Sequence, residues 1–281
     1  MSTARRRARA GVGLQYLALA AYVVFLAFPL LWMLSISFKG PREVLAFHPS
    51  LIPLQPTLEN YRLAFGEQNL VQAALNSTQV AVVTALLSVV VALPAAYALV
   101  RFRSLLRQAT VGWILVSQVF PVILIIIPLF LILKSLHLLD SLPGLDAVYL
   151  VWSLPFVLWM LQGYVAAIPV DLEEAAATDG AGRFRVLLHI VAPLLVPGLV
   201  VASLFAFISA WNEFFFALVV LQRPELATLP LTLARFVGTE GNVRLGPLAA
   251  ASLLATLPSL VFFAVLQRRL TSGLLAGGVK G

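Results

Sequence analysis

The residues of this chain best placed to do chemistry lie in one polar stretch between two long apolar blocks. It reads Pro169-Val170-Asp171-Leu172-Glu173-Glu174-Ala175-Ala176-Ala177-Thr178-Asp179-Gly180-Ala181-Gly182-Arg183-Phe184, then continues to His189-Ile190-Val191-Ala192-Pro193. Pro169 and Asp171 are helix-start signals, and Glu173 and Glu174 fall in the first turn, where the helix dipole favours acidic groups. Ala175, Ala176 and Ala177 offer a small, helix-favouring face. Gly180 and Gly182 end the helix, Gly180 with a positive φ, and a second helical segment leads to Pro193. A short polar helix of this kind can simply connect two spans. It can also insert into a partner's groove, since small side chains permit close approach while the flanking charges fix its orientation.

A second cluster, Trp211-Asn212-Glu213-Phe214, places a carboxylate inside an apolar block, where ionisable groups are costly and function is the first hypothesis. Aromatic faces beside amide and carboxylate groups suit a sugar ring, whose apolar faces stack while its hydroxyls need partners. An interfacial glutamate held by a neighbouring helix, flanked by ordinary belt aromatics, is the competing reading. Gln118, followed by Pro121 and Pro128, belongs to a loosened helix or to an interhelical hydrogen bond, and Gln162 reads as structural. Other chemistries lack their residues. There are no cysteines, and His48, His137 and His189 are far apart and form no ligand pair. No paired His and Asp set suits an intramembrane enzyme, and no G-x-x-x-x-G-K-[ST] loop cradles a nucleotide.

The elements that must carry these residues follow from composition. Of 281 residues, 61% are hydrophobic and 11% charged, too little charge to coat a soluble domain of this size. The apolar residues form six blocks of about 20 residues, the length that crosses a bilayer: 13–37, 78–100, 109–133, 146–168, 194–221 and 247–266. The first follows Arg5, Arg6, Arg7 and Arg9 but is too long for a signal peptide's apolar core, so it is read as a retained helix. The expected fold is all-α, a polytopic membrane protein of six transmembrane helices. Between the spans lie a basic N-terminus (1–12), a proline-rich, non-helical external loop (38–77), the polar loop at 169–193, a second external loop (222–246) and a tail (267–281).

With six spans both ends share a side, which carries 12 Lys and Arg residues against 7 opposite. The 7 are matched by acidic neighbours, so the positive excess marks the cytoplasm and both termini lie inside. Nucleic-acid binding is disfavoured, because the basic residues sit at the ends of apolar blocks instead of on one surface.

The pattern Glu174-Ala175-Ala176, three residues, Gly180, nine residues, Ile190, then Pro193 resembles the EAA motif of ABC-importer permeases. Ala192 departs from it where leucine is usual. The Leu75-Asn76-Ser77 approach to the second span, Trp211-Asn212-Glu213-Phe214 and the tail from Gln267-Arg268-Arg269 to Gly277-Gly278-Val279-Lys280-Gly281 are similar to the second permease of maltose-type importers. The resemblance covers nearly the whole chain and implies a type I importer permease fold, with one transmembrane domain over 72–270. It implies a coupling helix, with Glu173, Glu174, Ala175, Ala176, Asp179, Gly180 and Arg183 at a cytoplasmic ATPase, and a tail contact through Gly277, Gly278 and Lys280. It further implies a bacterial inner-membrane location, a second permease, two ATPase subunits that hold ATP and Mg, an external solute-binding protein and a di- or oligosaccharide substrate. Other polyols and glycerol phosphodiesters are the alternative solutes, and a non-transporting membrane scaffold is the alternative class.

Overall fold

Long apolar runs fold as helices because a helix satisfies every backbone polar group within itself. The computed structural model describes residues 2–67, 69–102, 105–238 and 243–277. Among them the β content is one isolated bridge, Val237 to Val243. The helices are α1 (Ser2–Ser37), α2 (Pro41–Val44), α3 (Glu59–Glu67), α4 (Leu70–Arg101), α5 (Leu105–Val119), α6 (Val122–Ser135), α7 (Leu142–Ala166), α8 (Asp171–Thr178), α9 (Arg183–Val186), α10 (Ala192–Leu194), α11 (Val196–Trp211), α12 (Phe215–Val220), α13 (Leu229–Ala234) and α14 (Leu245–Gly277). A π-helical turn, Leu187–Val191, joins α9 to α10, and a 3-10 turn, Pro224–Leu226, follows α12.

All six apolar blocks are helical, but two are broken. Among the described residues, four stretches are individually long and apolar enough to cross a membrane: Val12–Ser37, Leu70–Arg101, Leu142–Ala166 and Leu245–Val265. The block at 109–133 divides at Phe120 and Pro121 into α5 and α6. Pro121 has no N–H to donate and disfavours helical φ/ψ at Phe120, whereas Pro128 stays inside α6. The block at 194–221 divides at Asn212–Phe214 into α11 and α12. Two further boundaries differ from the sequence reading. The segment 38–77, expected as a non-helical loop, holds the helices α2 and α3 and the first turns of α4. The tail beyond 266 continues α14 to Gly277 instead of leaving the helix.

The chain forms two compact units, Met1–Asn69 with Arg235–Leu254, and Leu70–Ala234 with Ala255–Gly281. The first is organised around buried polar groups. Asn60 donates to the carbonyls of Ser37 at 3.0 Å and Lys39 at 2.8 Å. Lys39 is buried, with its ammonium on the Ser50 carbonyl and over the Trp32 ring. Gly246 packs directly on Asn60, where a Cβ would stand 2.4 Å from the amide oxygen.

The second unit is built on α4, α7 and α11. Their contact is lined by small residues, with Ala81, Ala92, Ala96, Ala202 and Ala206 wholly buried. Small side chains let helix backbones approach closely where lipid supplies no hydrophobic drive. Gly198 of α11 lies against the Tyr164 ring of α7, and a Cβ there would stand 2.6 Å from it. A Ser88–Ser153 hydrogen bond of 2.7 Å crosses from α4 to α7.

Candidate functional site

The polar stretch at 169–193 folds as its residues dictate. Glu173 and Glu174 donate their N–H groups to the Val170 carbonyl, at 2.8 and 3.0 Å, opening α8 after Pro169. At the other end, Gly180 N–H donates to Ala177 at 3.1 Å and Ala181 N–H to Ala176 at 3.0 Å. This paired closure is a Schellman motif, which needs a left-handed residue at its first position after the cap. Gly180 supplies it with φ +83°, the positive φ expected from sequence. Nothing lies within 4 Å of where its Cβ would be, so backbone conformation alone selects glycine here.

The chain then runs through α9, the π-helical turn and α10, and bends by 80° into α11. Pro193 cannot donate a hydrogen bond and Pro197 begins the next helix, which accounts for distorted helix on one side and a fresh start on the other.

The two adjacent glutamates of α8 face opposite ways. Glu174 is exposed, together with Asp171, Leu172, Ala175, Ala177, Thr178 and Asp179. Glu173 is 8% exposed. Its Oε1 accepts from Arg101 Nε at 2.7 Å and its Oε2 from the Tyr97 hydroxyl at 2.8 Å. Arg101 also donates through Nη2 to the carbonyls of Val165 at 3.0 Å and Ile168 at 2.9 Å, at the C-terminal end of α7. Arg183 of α9 stacks on Phe102, 4.8 Å from the ring centroid, a cation–π contact. The outward face of this segment is therefore small and acidic, with Phe184 of α9 72% exposed beside it. Its inward face is bolted to the ends of α4 and α7. The sequence reading puts Glu173 with Glu174 at the ATPase, counts Arg101 only toward the charge on the cytoplasmic side, and gives it and Tyr97 no structural role. Their i, i+4 spacing at a span's basic end was the available signal.

The second cluster sits where α11 gives way to α12. Glu213 is half-buried, and its carboxylate accepts from the Tyr149 hydroxyl at 2.8 Å, from Phe216 N–H at 2.9 and 3.1 Å, and from Ala217 N–H at 3.2 Å. A carboxylate in this position satisfies the free donors at the start of α12. Trp211 is buried, with its Nε1 donating to the Ala255 carbonyl at 3.3 Å. Asn212 is exposed and bonds back to Ile208 at 2.8 Å. Phe214 is half-buried against Phe215. These residues share one helix break, and their polar groups are turned to the protein's own backbone.

Gln118 lies in α5 with its side chain outside the described residues, and Gln162 has a buried amide nitrogen without a hydrogen-bond partner among the described residues. Gly277 ends α14, while Gly278 and Lys280 lie outside the described residues. An apolar cavity of about 490 Å³ opens among α5, α6, α7 and α12, lined by Trp113, Phe120, Trp152 and Phe216. Ser117 at its wall is committed to the Ile114 carbonyl, so the cavity offers a sugar little hydrogen bonding. No group of three or more His, Cys, Asp or Glu residues able to hold a metal occurs among the described residues.

The site is thus a glycine-closed polar helix held at the base of two long apolar helices, α4 and α7. The chain belongs to the binding-protein-dependent transport system inner membrane component family, whose model matches residues 86–275. It is 58% identical over 82% of its length to the whole of a Streptomyces antibioticus protein named as an ABC transporter permease, ORF1. It is 37% identical to the diacetylchitobiose uptake system permease protein DasC of Streptomyces coelicolor, over 93% of this chain and 95% of that one. Among solved structures, a chain of a bacterial ABC transporter involved in import of the acidic polysaccharide alginate superposes with a TM-score of 0.78 at 23% identity, covering 94% of this chain and 97% of that one.

Proposed function

We propose that this chain is one permease subunit of an ABC importer for an oligosaccharide, driven by a separate ATPase that grips α8. The observation that carries the reading is α8 itself. It is a two-turn helix with a small, acidic outer face and a glycine-closed end, while its inner face is held by Glu173. A bare connector has no use for an exposed Phe184 beside exposed alanines, whereas a groove-docking element does. Glu174, Ala175, Asp179 and Gly180 belong to that face, Arg183 is exposed beside it on the Phe102 ring, and Ala176 is half-buried beneath it. The sugar class is supported by the diacetylchitobiose named for one relative.

In this reading a second permease completes the pathway and an external solute-binding protein delivers the sugar. ATP and Mg are held by two copies of the ATPase. Both termini are cytoplasmic, and the end of α14 with Gly277, Gly278 and Lys280 contacts the ATPase pair. Of the candidates for substrate contact, Gln118, Trp211, Asn212, Glu213 and Phe214, the last four are engaged within the chain.

The test is co-purification of the ATPase from membranes, with sugar uptake measured beside it. Gly180→Val forces a β-branched residue into a left-handed conformation, a strain of about 1–2 kcal/mol, and places bulk at the docking face. Glu174→Ala removes an exposed charge from that face. Each is expected to leave the subunit in the membrane and to weaken its hold on the ATPase. Full ATPase retention and wild-type uptake in both would refute docking through α8.

A further inference from the structure

We propose that Glu173, Arg101 and Tyr97 form a positioning lock that makes α8 move as one body with α4 and α7. The proposal rests on the reading of α8 as the ATPase-docking helix and assigns how motion leaves it. Glu173 directly precedes the exposed Glu174 yet both of its oxygens are spent inside the chain, on Arg101 Nε at 2.7 Å and on Tyr97 at 2.8 Å. The ion pair is nearly dry, with side-chain exposures of 11% for Arg101 and 9% for Glu173.

Arg101 is the hub. Its planar fork gives one edge to Glu173 and an Nη2 to Val165 and Ile168, two carbonyls at the C-terminal end of α7. A cation is favoured at such an end, where carbonyls lack intrahelical donors. One side chain of α4 thereby ties three helices together, and Lys could not reproduce the geometry, because it lacks the rigid fork.

The lock is also placed where it matters mechanically. Glu173 is in the first turn of α8, while α8 ends at Thr178 and closes at Gly180, with nothing within 4 Å of where a Cβ would stand. Thus the rear of α8 is clamped to α4 and α7, and its front leads away through a glycine turn to α9. A pull on α8 therefore reaches α4 and α7 through the Glu173 carboxylate. The chain itself gives two covalent routes, the short linker at 167–170, which reaches α7 alone, and the glycine turn to α9. Arg183 on Phe102 adds a lighter contact from α9 to the same end of α4.

The lock residues are positioning residues, so the readout must separate coupling from folding and docking. The assembled importer, reconstituted in lipid nanodiscs and proteoliposomes, is assayed for ATPase retained per permease, ATP hydrolysed and sugar moved per ATP. Glu173→Gln is expected to retain the ATPase and its hydrolysis while sugar moved per ATP falls about ten-fold, within the usual range of coupling between sites. Arg101→Lys should fall similarly, and Tyr97→Phe, which leaves the ion pair, by about two- to three-fold.

Unchanged sugar per ATP in Glu173→Gln overturns the lock and leaves docking intact. Loss of the ATPase itself from Glu173→Gln also overturns it, by making Glu173 a docking residue. If Glu173→Gln does not reach the membrane, Tyr97→Phe decides alone, and wild-type coupling there overturns the proposal. Failure of the docking reading shows separately, as full ATPase retention by Gly180→Val and Glu174→Ala.

Discussion

Replacing Glu213 with glutamine tests whether this intramembrane carboxylate is a helix cap or part of a solute path. As a cap it accepts from Tyr149 O–H and from the N–H groups of Phe216 and Ala217. One oxygen, Oε2, already accepts from the hydroxyl and from both N–H groups, so glutamine can keep these contacts only with a neutral acceptor, while its NH2, in place of Oε1, turns a donor toward the Phe216 N–H. Hydrogen bonds to a charged acceptor are worth about 1.5–3 kcal/mol each and neutral ones about 1 kcal/mol. Because Glu213 is only half-buried, the loss should be near the low end, about 2 kcal/mol. Tyr149→Phe removes one donor and should cost about 1 kcal/mol. The two share a bond, so the double variant should lose about 1 kcal/mol less than the sum. Thermal midpoints of the purified subunit in detergent, followed by size-exclusion chromatography, report these differences. Uptake per subunit in the membrane should stay near wild type. A Glu213→Gln protein with an unchanged midpoint and abolished uptake would refute the cap and place the carboxylate in the pathway, and strict additivity with Tyr149→Phe would refute the shared bond.

Gly198→Ala should destabilise by about 1–3 kcal/mol, because the new methyl meets the Tyr164 ring at the α7–α11 contact; Gly198→Ala with Tyr164→Ala should recover part of the loss in the same midpoint assay. Asp140 accepts from the backbone N–H groups of Arg223 and Gln222 and from the Arg223 guanidinium, and these bonds hold its carboxyl below the usual range. A lowered folded-state value stabilises above the ordinary carboxyl value of about 3.9 and is lost as pH falls below it. The midpoint gap between wild type and Asp140→Asn should therefore close below about pH 4, and a gap independent of pH would exclude this linkage. For orientation, Ser135→Cys should react with an impermeant maleimide on intact cells and Thr178→Cys only after permeabilisation. The reverse pattern would invert the topology.

What could be read from residues alone was what depends on neighbours in the chain. Apolar runs of bilayer length impose helix wherever they occur, so all six blocks were legible. The end of α8 was legible for the same reason. A Schellman closure is made by bonds spanning four or five residues, and Gly180 is the residue that tolerates its left-handed turn. Where the third block breaks was not legible, since Pro121 and Pro128 are chemically the same and only packing decides which one a helix absorbs.

The rest belongs to tertiary structure. Glu173 and Glu174 are the same side chain in adjacent positions, and nothing local tells which turns inward. The answer lies 72 residues away, at Arg101, because a buried carboxylate is stable only where its charge is paired or its oxygens are hydrogen-bonded. Glu213 repeats the lesson, with Tyr149 of α7 64 residues distant and the donors of α12 exposed by a break that the apolar pattern did not announce. Residue type set the cost of burying each carboxylate, but only the packing of α4, α7 and α11 determined what would offset it.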